Sequence, residues 1–199
     1  MMRKRTVNAG LMLVVAVVTD FGFPTASLSQ EIMNTKDNFI VYEANGPRSF
    51  ILSRARGNFV ALHFLLKTTC PYCMKHTYEY AVRAHEVPGV HHVFLKPDTD
   101  EEIKAWSGLM DASYAVKTDS SCYVPPIIYR DPDAALAIVF AIPTGYAFHN
   151  QVVNYPALVI LDPYGKEVFR YVGKSNADRY TFDQFITKMT ELRKQAQSK

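Results

Sequence analysis

Cys70 and Cys73, which are separated by two residues, are the pair in this sequence whose type and spacing most directly support chemistry. A thiolate is both a nucleophile and a metal ligand, so a Cys-x-x-Cys pair can exchange disulfides or form half of a metal site. The sequence has no second Cys-x-x-Cys pair, and its remaining cysteine is the distant Cys122. Redox chemistry is therefore the preferred interpretation, with metal binding and an inert structural disulfide as alternatives.

The residues around the pair predict a strand that leads into a helix. The apolar run 59–66 suits a strand that is covered on both faces. Thr68 and Thr69 can cap the helix that follows, and Pro71 falls in its first turn, where a missing N–H costs little.

This arrangement would give the two cysteines different roles. Cys70 would lie at the helix N-terminus, where unpaired N–H groups and the macrodipole stabilise a thiolate. Cys73 would lie one turn inside the helix and would resolve a mixed disulfide on Cys70. We therefore expect Cys70 to face solvent as the nucleophile and Cys73 to be buried.

Residues 1–29 have the pattern of a secretory signal peptide. Residues 3–5 are basic, and residues 9–18 form an apolar segment that is too short to span a bilayer. Residues 27–29 place serines at the −3 and −1 positions of a cleavage site before Gln30. An uncleaved anchor is the alternative, because acidic and bulky residues follow the apolar segment. We expect a periplasmic or secreted protein, without stable membrane insertion after cleavage, in an oxidising compartment.

The composition is that of one ordinary globular domain, which we place at residues 30–199. The chain has 199 residues, of which 48% are hydrophobic and 21% are charged. Its formal net charge of +3 comes partly from the basic leader. No basic patch indicates nucleic acid as a partner.

Periodicity and turn residues predict alternating strands and helices along this domain. The predicted strands are 39–44, 59–66, 89–95, 124–129, 156–161 and 168–172. The predicted helices are 50–57, 71–85, 97–110, 131–140 and 180–195. Such an order indicates an α/β fold with a central mixed β-sheet that is flanked by helices on both faces.

This order resembles the thioredoxin superfamily, with Cys-Pro-Tyr-Cys at a strand–helix junction and an X-Pro before the late hairpin. Blocks 129–137 and 156–166 are similar to the redoxin branch, which contains AhpC-TSA-like peroxiredoxins and TlpA-like periplasmic thiol-disulfide oxidoreductases. The resemblance covers residues 39–192.

The resemblance also implies a substrate-binding edge. Pro156 would be cis and would pack against the dithiol, and the backbone of Tyr155 would pair with a substrate peptide. Pro71 and Tyr72, between the two cysteines, would also contact the substrate. No organic cofactor and no metal are implied, because the dithiol itself carries the electrons.

Departures from the redoxin patterns define two alternative functions. Peroxiredoxins share a Pro-x-x-x-Thr-x-x-Cys element, whereas His63 and Lys67 occupy the corresponding positions before Cys70. Their catalytic arginine usually precedes the late strand, where this chain has Tyr155 and Pro156, so a peroxiredoxin-like peroxidase is disfavoured.

The second alternative is a Sco-like copper-binding chaperone that uses Cys70 and Cys73. The neighbouring Met74 and the pair His91-His92 suggest it. Sco cysteines are normally three residues apart, however, and their histidine aligns with Asn154, five residues after His149.

Three further side chains have predicted roles outside the pair. His76 is too far along the helix to be a direct base for Cys70, so we interpret it as a surface or packing residue, with thiolate tuning or metal binding as the alternative. Lys67 is the nearest cation to Cys70 in the sequence. Cys122 is the odd cysteine, and we interpret it as a buried, unreactive thiol, with a free thiol, an intermolecular disulfide and exchange with the active pair as alternatives.

Together these features predict an exported thiol-disulfide oxidoreductase. Its partners would be protein thiol or disulfide clients and a redox partner protein. The direction of electron flow stays open, because it depends on the relative stability of the dithiol and disulfide forms.

Overall fold

The computed structural model of the protein describes residues 34–67, 69–114 and 124–197. The predicted signal segment, the proposed cap Thr68 and the odd cysteine Cys122 lie outside these ranges. Within them, no helix combines the length and the apolar character needed to cross a membrane.

The described residues form strands β1 to β9 and helices α1 to α4. The strands are β1 Ile40–Glu43, β2 Ser49–Ile51, β3 Phe59–Phe64, β4 Val90–Lys96, β5 Ile128–Arg130, β6 Thr144–Phe148, β7 Gln151–Asn154, β8 Ala157–Leu161 and β9 Glu167–Val172. The helices are α1 Pro71–Arg83, α2 Asp100–Tyr114, α3 Ala135–Val139 and α4 Phe182–Gln197.

Seven of these strands form one mixed sheet in the order β2-β1-β5-β4-β3-β8-β9. Strand β3 pairs in parallel with β4 and antiparallel with β8. All six residues of β3 are buried, as expected for a strand that is covered on both faces. Strands β6 and β7 pair with each other as a separate two-stranded sheet.

Alternating side chains of β3 enter two different hydrophobic clusters. Phe59 and Ala61 join the cluster that contains residues of α1, α2 and α4, whereas Val60, Leu62 and Phe64 join the cluster that contains residues of α3. Helices therefore cover both faces of the sheet, and the predicted fold class is confirmed.

The predicted helix at 50–57 is wrong. Ile51 pairs with Ile40 across the β1–β2 hairpin, and only residues Leu52–Ala55 form a short 3-10 turn. The pairing of Ile51 buries apolar surface that a solvent-facing helix would have left exposed.

Two other predicted elements are shorter than expected. Strand β5 begins at Ile128 rather than at residue 124, because Pro125 and Pro126 have no N–H to donate to a ladder. Helix α3 begins at Ala135, since Asp133 and Ala134 have positive φ values and interrupt the helical conformation.

The β6–β7 hairpin was not predicted. Its turn places His149 and Asn150 at φ values of 49° and 60°. Two consecutive positive φ values are typical of the type I′ turns that join two-residue hairpins. Asn150 was the local signal, but histidine before it is a weak one.

Candidate active site

Cys70 is the N-cap of α1, and Cys73 lies one turn inside the helix, as predicted. The Cys70 sulfur accepts a hydrogen bond from the backbone N–H of Cys73 at 3.3 Å, and Pro71 occupies the first turn. The sulfur therefore caps the helix itself, so the expected cap by Thr69 is wrong. An N–H at a helix N-terminus stabilises an anionic sulfur more than a neutral one.

The two thiols are both buried, which corrects the expectation that Cys70 faces solvent. Each cysteine has an exposed fraction of 0%. They belong to the same hydrophobic cluster as Val153 of β7 and Leu158 of β8. The unpredicted hairpin thus contributes Val153 to the hydrophobic cluster that contains both buried cysteines.

Arg179 places a cation against both sulfur atoms. Its Nη2 lies 3.0 Å from the Cys73 sulfur and 3.7 Å from the Cys70 sulfur. The residue lies between β9 and α4, in a segment without helix or strand. The cation beside the dithiol is therefore Arg179 and not Lys67, the nearest cation to Cys70 in the sequence. Lys67 is exposed on the segment before Cys70.

The surroundings separate the pKa values of the two thiols. A hydrogen bond from the Cys73 thiol, together with the charge of Arg179, lowers the pKa of Cys70 from 9.0 to about 6, against the opposing effect of burial. Burial raises the pKa of Cys73 well above 9.0, and its hydrogen bond to Cys70 adds to that rise. Cys70 is consequently the thiolate at neutral pH, and Cys73 holds its proton.

The segment that carries Arg179 is anchored on both sides of that residue. Tyr80 of α1 donates its hydroxyl to the Tyr180 carbonyl at 2.9 Å. On the other side, the Lys174 backbone N–H donates to the Asp178 carboxylate at 2.8 Å, and the same carboxylate accepts the Tyr171 hydroxyl. These contacts hold the guanidinium beside the dithiol.

Pro156 precedes β8, as predicted, but the expected cis bond is wrong. The described residues contain no cis peptide bond. The Pro156 carbonyl accepts the Gly173 N–H at 2.8 Å and so extends the β8–β9 pairing, while the Tyr155 N–H donates to Pro143. These two backbone hydrogen bonds lie on either side of the trans Tyr155–Pro156 bond.

Pro156 nevertheless lies beside the site. It lines the same small cavity as His76 and Arg179. Tyr155 packs its ring against Tyr146 of β6, with 5.3 Å between ring centroids. A substrate-binding role for Tyr155 and Pro156 stays a prediction.

Pro71 and Tyr72 lie between the two cysteines at the start of α1. Both are exposed, and Tyr72 has 47% of its surface in solvent. Tyr72 lines a cavity of about 180 Å³ together with Lys75, Glu79 and Arg179. A substrate-binding role for Pro71 and Tyr72 stays a prediction.

Three histidines form a buried hydrogen-bonded row beneath the site. The Nδ1 atom of His63 lies 3.0 Å from Nε2 of His76, and its Nε2 atom lies 3.0 Å from Nδ1 of His92. His76 is buried, so its predicted packing role is the one that the structure supports. Tyr80 packs against all three rings.

Burial keeps the histidine row neutral. It lowers the pKa of His76 from 6.5 to about 3 and that of His92 to about 4, and it lowers the pKa of His63 well below 6.5. The charge of Arg179 adds to the lowering for His63 and His76. These rings are thus uncharged neighbours of the dithiol at physiological pH.

Each neutral ring has one donor nitrogen and one acceptor nitrogen. The two hydrogen bonds of the row can therefore run in either of two directions. One direction puts a hydrogen on Nε2 of His92, a buried atom without a hydrogen-bond partner. The opposite direction puts the terminal hydrogen on Nδ1 of His76 and avoids an unpaired buried N–H at His92.

No group of three or more histidine, cysteine or acidic side chains is arranged to hold a metal ion in the part of the chain that the structure describes. His91 and His149, which the copper alternative invoked, are exposed. His92 instead joins the histidine row through its Nδ1 atom.

Arg179 is the functional residue that the sequence analysis missed. No local motif marks it, since its neighbours form an irregular segment. The strand pairing would have indicated its position, because Ala157 pairs with both Phe64 at the end of β3 and Val172 at the end of β9. The residues after Val172 must therefore emerge at the same edge of the sheet as the dithiol.

The comparisons with known proteins agree with the observed topology. No family model and no curated protein sequence matches the chain. Among solved structures, a cysteine-to-serine mutant of peroxiredoxin 6 of Arenicola marina is similar, with a TM-score of 0.67 and 17% identity over 83% of this chain and 74% of that one.

Two smaller proteins are also similar. DsbF of MTB matches with a TM-score of 0.56 and 19% identity, over 80% of this chain and 98% of that one. The exposed lipoprotein thioredoxin Etrx1 of Streptococcus pneumoniae strain TIGR4 matches with a TM-score of 0.55 and 17% identity, over 77% and 98%. The chain therefore has a thioredoxin-like fold.

Proposed function

We propose that the protein is an exported thiol-disulfide oxidoreductase that exchanges disulfides with protein clients through Cys70 and Cys73. The single observation that carries this proposal is the contact of Arg179 with both sulfurs of a Cys-x-x-Cys pair at a helix N-terminus. A cation in that place favours thiolate at Cys70, and thiolate is the form that attacks a disulfide.

The exchange has two balanced steps when the client is reduced. The Cys70 thiolate attacks one sulfur of the client disulfide, which forms a mixed disulfide and releases the other client sulfur as a thiolate. Cys73 then loses its proton and attacks the Cys70 sulfur, which forms the Cys70–Cys73 disulfide and releases the second client thiolate. Two electrons pass from the dithiol to the client, and client oxidation is the reverse sequence.

The difference in pKa between the two thiols supports this order of attack. Cys70 has the lowered pKa and Cys73 the raised one, so the thiol that keeps its proton is the one that acts second. Arg179 contacts both sulfurs and can stabilise whichever one is the attacking thiolate.

Export rests on the leader at residues 1–29, with its basic start and short apolar segment. An oxidising compartment contains disulfide-bonded proteins, which supply the proposed clients. A redox partner protein would return the dithiol to its working state. The similarity to DsbF and to a lipoprotein thioredoxin is consistent with such partners.

Trapping in the native compartment tests the proposal. In a Cys73→Ser variant the attacking thiol remains and the resolving thiol is gone, so mixed disulfides with client proteins should accumulate. The double Cys70→Ser, Cys73→Ser variant is the matched control. Equal recovery of disulfide-linked proteins with both variants would exclude the exchange mechanism.

The contact between Arg179 and Cys70 also favours a second candidate, a peroxide-reducing thiol. The Cys70 thiolate would attack a peroxide oxygen, forming a sulfenic acid and, after protonation, an alcohol or water. Cys73 would then condense with the sulfenic acid to give the disulfide and water. One of the similar structures is described by its alkyl peroxide reduction activity, so organic peroxides are the substrates to test.

Peroxide consumption separates the two candidates. The reduced protein would consume one equivalent of an organic peroxide rapidly if it were a peroxidase, and slowly if it exchanges disulfides with proteins. Insulin reduction by the same preparation provides the opposite readout. A protein that consumes peroxide rapidly but neither reduces insulin nor traps clients is the peroxidase.

A further inference from the structure

A chain of hydrogen bonds through Tyr146, Asn176 and Arg179 connects the separate two-stranded sheet to the dithiol. Nε of Arg179 donates to the Asn176 carbonyl at 3.0 Å, while Nη2 donates to the Cys73 sulfur at 3.0 Å. The guanidinium is planar and rigid, so the bond at Nε sets where Nη2 points. The position of the Asn176 carbonyl therefore controls the distance from the cation to the sulfurs.

Asn176 is held in turn by the hydroxyl of Tyr146 on β6. The backbone N–H of Asn176 donates to the Tyr146 Oη at 3.0 Å, and that hydroxyl donates to the Asn176 Oδ1 at 3.3 Å. One hydroxyl thus fixes both the main chain and the side chain of Asn176. The ring of Tyr146 packs between Phe148, at 5.9 Å, and Tyr155, at 5.3 Å, so its own position is set by packing.

The neighbouring carboxylate of Asp178 does not compete with the sulfurs for this guanidinium. A carboxylate is ordinarily a stronger partner for arginine than a thiol. The two oxygens of Asp178 accept the Tyr171 hydroxyl and the Lys174 backbone N–H instead. Both carboxylate oxygens thus already accept hydrogen bonds, one from β9 and one from the segment that follows it. Arg179 is left to donate to the sulfurs of Cys70 and Cys73.

We propose that Tyr146 is the positioning residue that holds Arg179 against the Cys70–Cys73 pair, an inference that rests on the thiol chemistry proposed above. The loss of its hydroxyl frees the main chain at Asn176. Arg179 then spends less time within reach of the sulfurs, and the Cys70 thiolate loses part of its stabilisation. A residue on a two-stranded sheet outside the main sheet thereby sets the reactivity of the dithiol.

The test is the pH profile of Cys70 alkylation by iodoacetamide in the reduced Tyr146→Phe protein, followed by peptide mapping. This variant keeps the ring and removes only the hydroxyl. We expect the profile to move to higher pH and the rate at pH 5, below the pKa of Cys70, to fall about fivefold, the factor that one hydrogen bond of ordinary net strength contributes. The rate at a pH where Cys70 is fully ionised should not change. Tyr164→Phe, at an exposed turn residue, is the matched control and should match the wild type.

A double-mutant cycle with Arg179→Met separates positioning from a general loss of structure. If Tyr146 acts through Arg179, Tyr146→Phe adds nothing in the Arg179→Met background. Asn176→Ala, which removes only the Oδ1 partner, should shift the profile in the same direction and by less. An unchanged profile in Tyr146→Phe, or an equal further shift in the Arg179→Met background, would overturn the proposal.

These measurements use no client and no peroxide, so their outcome is separate from that of the proposed function. Failure of the function would appear as no trapped clients, with the wild-type alkylation profile still shifted to low pH. Failure of the positioning role would appear as an alkylation profile in Tyr146→Phe that equals that of the wild type, whether or not clients are trapped.

Discussion

The guanidinium of Arg179 lies 3.0 Å from the sulfur of Cys73, although 106 residues separate them in the chain. The same group reaches the Cys70 sulfur at 3.7 Å. A single cation therefore serves both thiols of the pair, whichever one carries the negative charge during exchange. The consequences of this relationship can be measured.

Arg179→Met should raise the pKa of Cys70, because it removes a positive charge beside the thiolate. It should also make the dithiol more reducing, since the form that holds the thiolate loses stabilisation. A tenfold change in the equilibrium constant corresponds to about 30 mV for this two-electron couple. Equilibration with glutathione buffers measures the potential, and Arg48→Met, in the first hairpin, controls for loss of charge. A potential equal to that of the wild type would show that Arg179 does not act on the dithiol.

Alkylation of wild-type Cys70 should follow its lowered pKa. The thiolate fraction grows as pH rises through about 6, so labelling of Cys70 should already be half-maximal near that pH. Cys73, whose pKa is raised, should remain unlabelled there. Mass spectrometry of the labelled peptides distinguishes the two sites. Preferential labelling of Cys73 at mildly acidic pH would reverse the assigned roles.

The burial of both sulfurs predicts a strong dependence on reagent size. Because Cys70 has an exposed fraction of 0%, a bulky reagent must displace part of the covering before it reacts. For Cys70 we expect the rate with iodoacetamide, divided by the rate with a large maleimide, to be at least about tenfold larger than the same quotient for a free thiol such as glutathione. A tenfold difference corresponds to about 1.4 kcal/mol of local opening. Equal ratios would mean that Cys70 is open in solution.

The histidine row should make the protein sensitive to acid. His63, His76 and His92 have lowered pKa values when folded, so below pH 6.5 the unfolded chain binds protons that the folded chain excludes. Stability is therefore full above pH 6.5 and falls as pH drops towards 4, by about 1.4 kcal/mol per pH unit for each such group. Urea unfolding between pH 4 and 7 measures the slope. His92→Phe should flatten it, and an unchanged slope would contradict this account.

The ion pair between Lys96 and Asp98 is buried, and breaking it should destabilise the folded protein. The two charged atoms are 2.6 Å apart, and the Lys96 ammonium also donates to the Leu66 carbonyl at 3.0 Å. Asp98→Asn removes the carboxylate that pairs with the buried ammonium and should lower the free energy of unfolding by about 3 to 5 kcal/mol. Replacing both residues with apolar ones should cost less. A double variant as unstable as Asp98→Asn would contradict the charge explanation.

The sequence was sufficient for features that depend on local pattern. The apolar run before Cys70 predicted a strand buried on both faces, and β3 is that strand. Pro71 predicted the start of α1, and the acidic residues after Asp98 predicted α2. Each of these follows from periodicity, capping or composition within a few neighbouring residues.

Features that depend on contacts distant in sequence were not predicted. Nothing near Arg179 indicates that it meets two sulfurs, and nothing near Cys70 indicates that the β6–β7 region helps to enclose it. The expected cis bond at Pro156 was implied by the resemblance alone, and the observed trans bond is the form that X-Pro bonds ordinarily prefer.

The hairpin β6–β7 also bears on the timescale of reactivity. A two-stranded sheet that stands apart from the main sheet has little stability of its own and depends on its packing against neighbouring residues. Its backbone amides should therefore exchange with deuterium by local opening, well before those of β3. Each opening would carry Tyr146 away from Asn176, so the free energy of this local transition, rather than that of global unfolding, would determine how often the dithiol lies without its cation.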